Sequence, residues 1–229
     1  MSLAGTVLRL TIIATLAVAG PALALSPRQI LSEAAFRTRD KQVALNQIGE
    51  AERGAAAQVA RDPANRDAGL LRAMAIGYRG KLNHSRGDAL AARKQFEAFV
   101  ASDPRDAEAA AAIGTWHLDS VLELGGMVAG MAIGAKKATG LEMMEKSVAL
   151  GGRRAFYAGL TGLLRLAIDP ADARGRALVE VASTASMPEP LDRQMQASAL
   201  ALLPVLKVGD RKAIEKLARQ LLPFGRLHR

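Results

Sequence analysis

The stretch of residues 87–104, GDALAARKQFEAFVASDP, constrains the fold of this chain more than any other. Gly87 and Asp88 predict a tight turn, and the residues after them predict a helix. Small Ala92 and bulky Phe96 and Phe99 fall on one face of it, because side chains three and four apart stack on a helix surface. Asp103 and Pro104 predict the end of that helix and a proline-started successor. The next residues, AEAAAAIG over 107–114, predict a helix of small side chains that can lie very close to a neighbour. Helix, turn and small-residue helix in this order describe a stacked helical hairpin.

The register of alanine, aromatic and proline resembles the tetratricopeptide repeat. Other segments follow the same pattern. Asp-Pro recurs at Asp62-Pro63, Asp103-Pro104 and Asp169-Pro170. On the repeat register Gly140 takes a small position, Met144 the bulky one and Ser147 a second small one, with Gly162 in the small position of the next helix. Gly209 and Asp210 repeat the Gly-Asp opening. Little of the chain alternates with period two, so strands are not expected. The expectation is an all-α fold of tetratricopeptide-like hairpins stacked as a short α-solenoid. About ten helices are expected, over 27–37, 41–61, 65–84, 88–102, 105–135, 137–150, 153–168, 170–185, 191–207 and 210–222. Pro188 and Pro190 read as a linker, and Pro204 as a kink or helix end. Residues 25–187 then form the repeat domain, and 188–229 capping helices over the open end of the stack.

The N-terminus reads as an address. Arg9 precedes an apolar run over 10–19, then Gly20-Pro21, then Ala22, Leu23 and Ala24. A positive flank, a short apolar core and an A-x-A site make 1–24 a cleavable signal peptide, and hence a periplasmic location. Ser26, Pro27 and Gln29 predict a capped helix start immediately after it.

Near 119–137 lies a glycine-rich insertion. It begins after Gly114, Trp116 and His117 and ends in Gly134, Ala135, Lys136 and Lys137. This pattern resembles exported repeat proteins of proteobacteria and, more distantly, the regulator of microtubule dynamics family. The resemblance covers about residues 85–155, with Trp116, Gly134 and Gly140 as the matching positions and His117 as a departure. It implies a fold and no specific activity. Gly126, Gly130 and Gly134 recur every four residues and predict a close-packing helix face. With Trp116, Met127 and Met131 they are also the candidate wall of an apolar pocket, or a segment that touches lipid. The uncharged run 124–135 is too short to span a bilayer.

The residues offer little catalytic chemistry. The sequence has no cysteine, which excludes disulfides and thiol catalysis. His84, His117 and His228 lack partners at metal-ligand spacing, and no cofactor or metal is expected. Residues 130–136 fail the phosphate-loop spacing, and no nucleophile elbow is present. His117 beside Trp116 reads as a core pair. The net charge of +9 favours anionic partners, but aromatic residues are only 3%, which argues against a base-stacking nucleic-acid platform. Arg72, Arg79 and Arg86 recur every seven residues and predict a basic stripe, a candidate clamp for an acidic protein or peptide. The expected role is a non-enzymatic scaffold that binds proteins or peptides. The alternative is a small apolar-ligand binder accessory to a solute transport system.

Overall fold

In a computed structural model that describes residues 25–227, the chain is all-helical. Eleven α-helices occur among the described residues: α1 Pro27–Phe36, α2 Lys41–Arg61, α3 Arg66–Asn83, α4 Arg86–Ser102, α5 Ala107–Leu124, α6 Gly126–Ile133, α7 Lys137–Leu150, α8 Ala155–Ile168, α9 Ala173–Thr184, α10 Pro190–Val208 and α11 Arg211–Leu221. The signal-peptide segment and His228 lie outside the described residues.

The helix boundaries follow from local chemistry. Ser26 forms the expected capping box with Gln29, and Pro27 takes the first helical position. The Asp-Pro segments are connectors of one design. Asp62, Asp103 and Asp169 each end a helix, and each carboxylate accepts the backbone N–H two residues on, at 3.0, 2.9 and 2.9 Å. Each carbonyl accepts the N–H three residues on, from Asn65, Asp106 and Asp172. Those three side chains then cap α3, α5 and α9. The prolines therefore sit inside the turn and not, as expected, at the first helical position. The turn expected at Gly87 and Asp88 lies earlier, because His84 adopts the left-handed conformation (φ 52°) and Ser85 caps α4. Pro190 opens α10 and is no linker, and α10 continues through Pro204 to Val208.

The largest departure is the expected helix over 105–135. Gly125, with φ 77° and ψ 148°, breaks it into α5 and α6. Only glycine adopts that region readily. Gly134, at φ 71°, ends α6 as a left-handed cap.

Neighbouring helices pack in sequence, with α2 against α1 and α3, α4 against α3, α7 against α5, and α9 against α8. Glycine and alanine let backbones approach. A Cβ on Gly114 would meet the Met144 backbone N at 3.0 Å, and one on Gly140 would meet Leu118 at 2.6 Å. Gly140, Met144 and Ser147 are all buried. Gly162 meets the carbonyl of Gly175 in the same way, at 3.0 Å. Helix α10 packs on α8 and α9, and α11 packs on α8. After α11 the chain turns back, and the N–H of Phe224 donates to the carbonyl of Ala35 at 2.7 Å.

Candidate functional site

Alternate helices α1, α3, α5 and α8 turn one face toward a common furrow. On α3 that face carries Leu71, Met74, Tyr78 and Lys81, a spacing that aligns them along the helix. Leu31 and Phe36 come from α1, Ala111, Ala112, Thr115 and Trp116 from α5, and Phe156 and Leu160 from α8. Phe96 of α4, Leu191 of α10 and Pro223 of the C-terminal turn complete the wall. The inner hollow is about 90 Å³ and its lining is dominated by apolar side chains. It opens onto a wider mouth of about 800 Å³, lined by Arg28, Glu33, Arg37, Glu108, Arg154, Glu189 and Gln194 among others.

Charges at the two ends of the hollow are paired internally, with Arg28 and Lys81 each shared by two carboxylates. At the mouth, the Arg28 guanidinium bridges Asp67 of α3 and Glu108 of α5. Arg154 pairs with Asp192 at 3.0 Å, and Asp192 also accepts the N–H of Phe156 at 2.9 Å. Asp192 is fully buried, and it ties α10 to the start of α8. At the far end Lys81 pairs with Asp119 at 2.6 Å. This pair borders both the furrow and a second hollow of about 280 Å³ beneath α6.

Tyr78 is a polar group of the inner wall. Burial, and then the charges of Asp119 and Glu108, push its phenol well above the usual range, so it stays a neutral O–H. No group among the described residues takes its hydrogen bond. Every fully buried side-chain nitrogen or oxygen among them has a partner, so the Tyr78 hydroxyl is reachable from the hollow. The inner wall therefore offers one neutral donor in an apolar setting.

The expected site residues fall differently. Arg72, Arg79 and Arg86 form no single stripe. Arg72 is exposed on α3, one position round from the furrow face. Arg79 is half-buried, donates two 2.9 Å hydrogen bonds to Asp88 and pairs with Glu52, so it staples α2, α3 and α4. Arg86 lies past the turn on α4, and its Nε donates to the Ala132 carbonyl at 2.8 Å.

Trp116 is buried in a smaller core with Leu70, Ile113, Ala129 and Ile133, and its Nε1 donates to the Ala89 carbonyl at 2.9 Å. One edge of it reaches both hollows. His117 is the core partner the sequence suggested. Its Nδ1 accepts the Lys136 N–H at 3.2 Å, and burial, with Arg93 and Lys136 nearby, lowers its pKa to about 4.

Of the expected glycine face only Gly134 sits close to a neighbour, where a Cβ would meet the Arg93 guanidinium at 2.5 Å; Gly126 and Gly130 do not pack closely. A Cβ on Gly126 would meet nothing, and one on Gly130 only the Ala135 carbonyl at an ordinary 3.6 Å. Met127 and Met131 are 79% and 76% exposed and line neither hollow. Helix α6 turns Ala129 and Ile133 inward instead.

No protein-family model, curated protein or solved structure matches the chain. Among the described residues no group of acidic or histidine side chains is arranged to hold a metal ion, and no helix is long and apolar enough to cross a membrane.

Proposed function

We propose that the chain is a non-catalytic binding module of tetratricopeptide-like, solenoid design that holds a peptide segment in its furrow. One observation carries this reading: a small apolar hollow with a single free phenol donor opens into a wide, charged mouth. The sizes favour a peptide over a small molecule. Pockets for small molecules usually enclose about 300–1,000 Å³ of mostly apolar space. A hollow of about 90 Å³ admits one apolar side chain, whereas the mouth of about 800 Å³ has room for backbone and polar groups. A peptide with one apolar anchor fits both parts. The Tyr78 hydroxyl is placed to donate to a ligand carbonyl near that anchor.

The solenoid reading draws on the alternation of inner and outer helices and on the small-residue contacts of Gly114 with Met144 and Gly140 with Leu118. The anchor, and not the arginine series, supplies affinity in this account, because Arg79 is already committed to Asp88 and Glu52.

Selection of a displayed random peptide library on the immobilised chain tests the proposal. The enriched sequences should share one bulky apolar residue, and changing it to alanine should weaken binding about tenfold or more, the equivalent of about 1.4 kcal/mol. Ala112→Phe, which fills the hollow, should abolish capture. Enriched peptides that bind the Ala112→Phe chain unchanged would refute the furrow as their site.

A further inference from the structure

We infer that the outward face of α6, with the cations around it, docks on an anionic lipid surface. Helix α6 reads GMVAGMAI, without one charged or hydrogen-bonding side chain. Ala129 and Ile133, with the partly buried Ala132, hold it to the Trp116 core. Leu124 and Val128 border the hollow beneath the helix, and the two methionines face outward. Met127 and Met131 are one turn apart and more than three-quarters exposed, Val128 beside them is 49% exposed, and Leu124, just before the break at Gly125, is 41% exposed. Soluble proteins seldom leave such a contiguous apolar patch uncovered without an interaction to serve. Gly130 adds no side chain between the methionines, and no side chain of the helix is polar.

The surroundings specify the occupant. Arg86 and Arg93 donate to the carbonyls of Ala132 and Ile133, which fixes two guanidinium groups against the C-terminal end of α6. These bonds also complement the helix dipole there. Lys136 and Lys137 follow directly and are exposed, and Lys94 is exposed one position beyond Arg93 on α4. Of the neighbouring carboxylates, Glu97 pairs with Arg93 at 2.8 Å, and Glu123 shares Lys81 with Asp119, at 3.5 and 2.6 Å. Arg93 and Lys81 are therefore already compensated, and the rim's attraction rests on Arg86, Lys94, Lys136 and Lys137. An apolar face rimmed by lysine and arginine matches the boundary between acyl chains and anionic headgroups. Methionine side chains adapt readily to a fluid, irregular partner. The eight-residue helix is far too short to span, so it lies along the surface.

The absence of cysteine allows a position-specific test. An environment-sensitive fluorophore is placed on Met131→Cys of the full chain, and in parallel on Val208→Cys, an 80% exposed apolar site at the end of α10. Vesicles of phosphatidylcholine with and without phosphatidylglycerol are then added. The apolar run over 10–19 is common to both proteins, so the contrast between labels isolates α6. The expected result is a blue shift and brightening at position 131 with the anionic vesicles alone, reversed by high salt, and no change at 208. Lys136→Glu with Lys137→Glu should weaken the partitioning by about tenfold or more, since each cation near such a surface counts for about 1 kcal/mol. Far-ultraviolet circular dichroism of that variant should match the parent. An unchanged label at 131, equal changes at both positions, or binding indifferent to the lysine reversals would overturn the inference. A change at 131 that follows protein concentration without vesicles would assign the face to self-association and overturn it as well.

Discussion

The ring of Phe224 stands edge-on to that of Tyr78, with centroids 4.9 Å apart and planes at 85°. Phe224 holds this position with a left-handed backbone (φ 64°) and a 2.7 Å hydrogen bond to Ala35. The C-terminal turn is thereby fastened to α1 and α3, beside the furrow that Pro223 helps to line. Phe224→Ala should lower the free energy of unfolding by about 3 kcal/mol, the usual cost of deleting a buried phenylalanine. Urea denaturation measures it, and a loss below about 1 kcal/mol would show that the turn rests on the surface and not in the core.

Two glycine substitutions should act in opposite directions. Gly140→Ala places a methyl group against Leu118 and the Cβ of His117, where α5 and α7 meet. It should cost about 1–3 kcal/mol by overpacking. Gly130→Ala meets only open surface and the Ala135 carbonyl at 3.6 Å, and should gain about 0.5–1 kcal/mol from helix propensity. Chemical denaturation of both variants checks the pair.

His117 should make stability fall in mild acid. Burial first, with Arg93 and Lys136 adding to it and Glu97 opposing, holds its folded pKa at about 4, against about 6.5 in an unfolded chain. The unfolded state then binds the proton first, so stability is complete above about pH 6.5 and declines as the pH drops toward 4. His117→Gln should remove that decline. Unfolding free energies measured across the interval decide it.

Asp88 gives a second dependence at lower pH. The hydrogen bonds from Arg79 hold its carboxyl below the usual range, despite an opposing push from burial. A depressed acid contributes stability that is present above its unfolded pKa, about 3.9, and lost as the pH falls through the folded value. Arg79→Gln should flatten this acid limb and lower stability at neutral pH. A parent and variant with parallel acid limbs would show that the Arg79–Asp88 pair is not coupled to folding.

The helical architecture was legible in the sequence because its signals are local. Asp-Pro ends helices wherever it occurs, and the spacing of Gly140, Met144 and Ser147 puts them on one buried face of α7. The connector design was missed because its capping residue stands three positions after the aspartate. The pattern Asp-Pro-x-Asn/Asp, shared by residues 62–65, 103–106 and 169–172, would have revealed it. The α5–α6 break was hidden because Gly125 sits among other glycines, and only its backbone angles distinguish it. The furrow was least legible. Its lining comes from helices distant in sequence, and Leu71, Met74 and Tyr78 look like ordinary core residues. Arg72 and Arg79 form a more conspicuous period, but they lie one residue out of phase with that lining face.

That phase difference supplies the most direct test of the binding site. Met74 lines the furrow and Arg72, on the same helix, points away from it. A photo-crosslinking amino acid is placed at each position in turn, in the presence of a peptide selected on the unmodified chain. Position 74 should crosslink, with the signal lost when the peptide's apolar anchor is changed to alanine, and position 72 should not. Crosslinking from 72 in preference to 74 would contradict it and move the site to the outer face of α3.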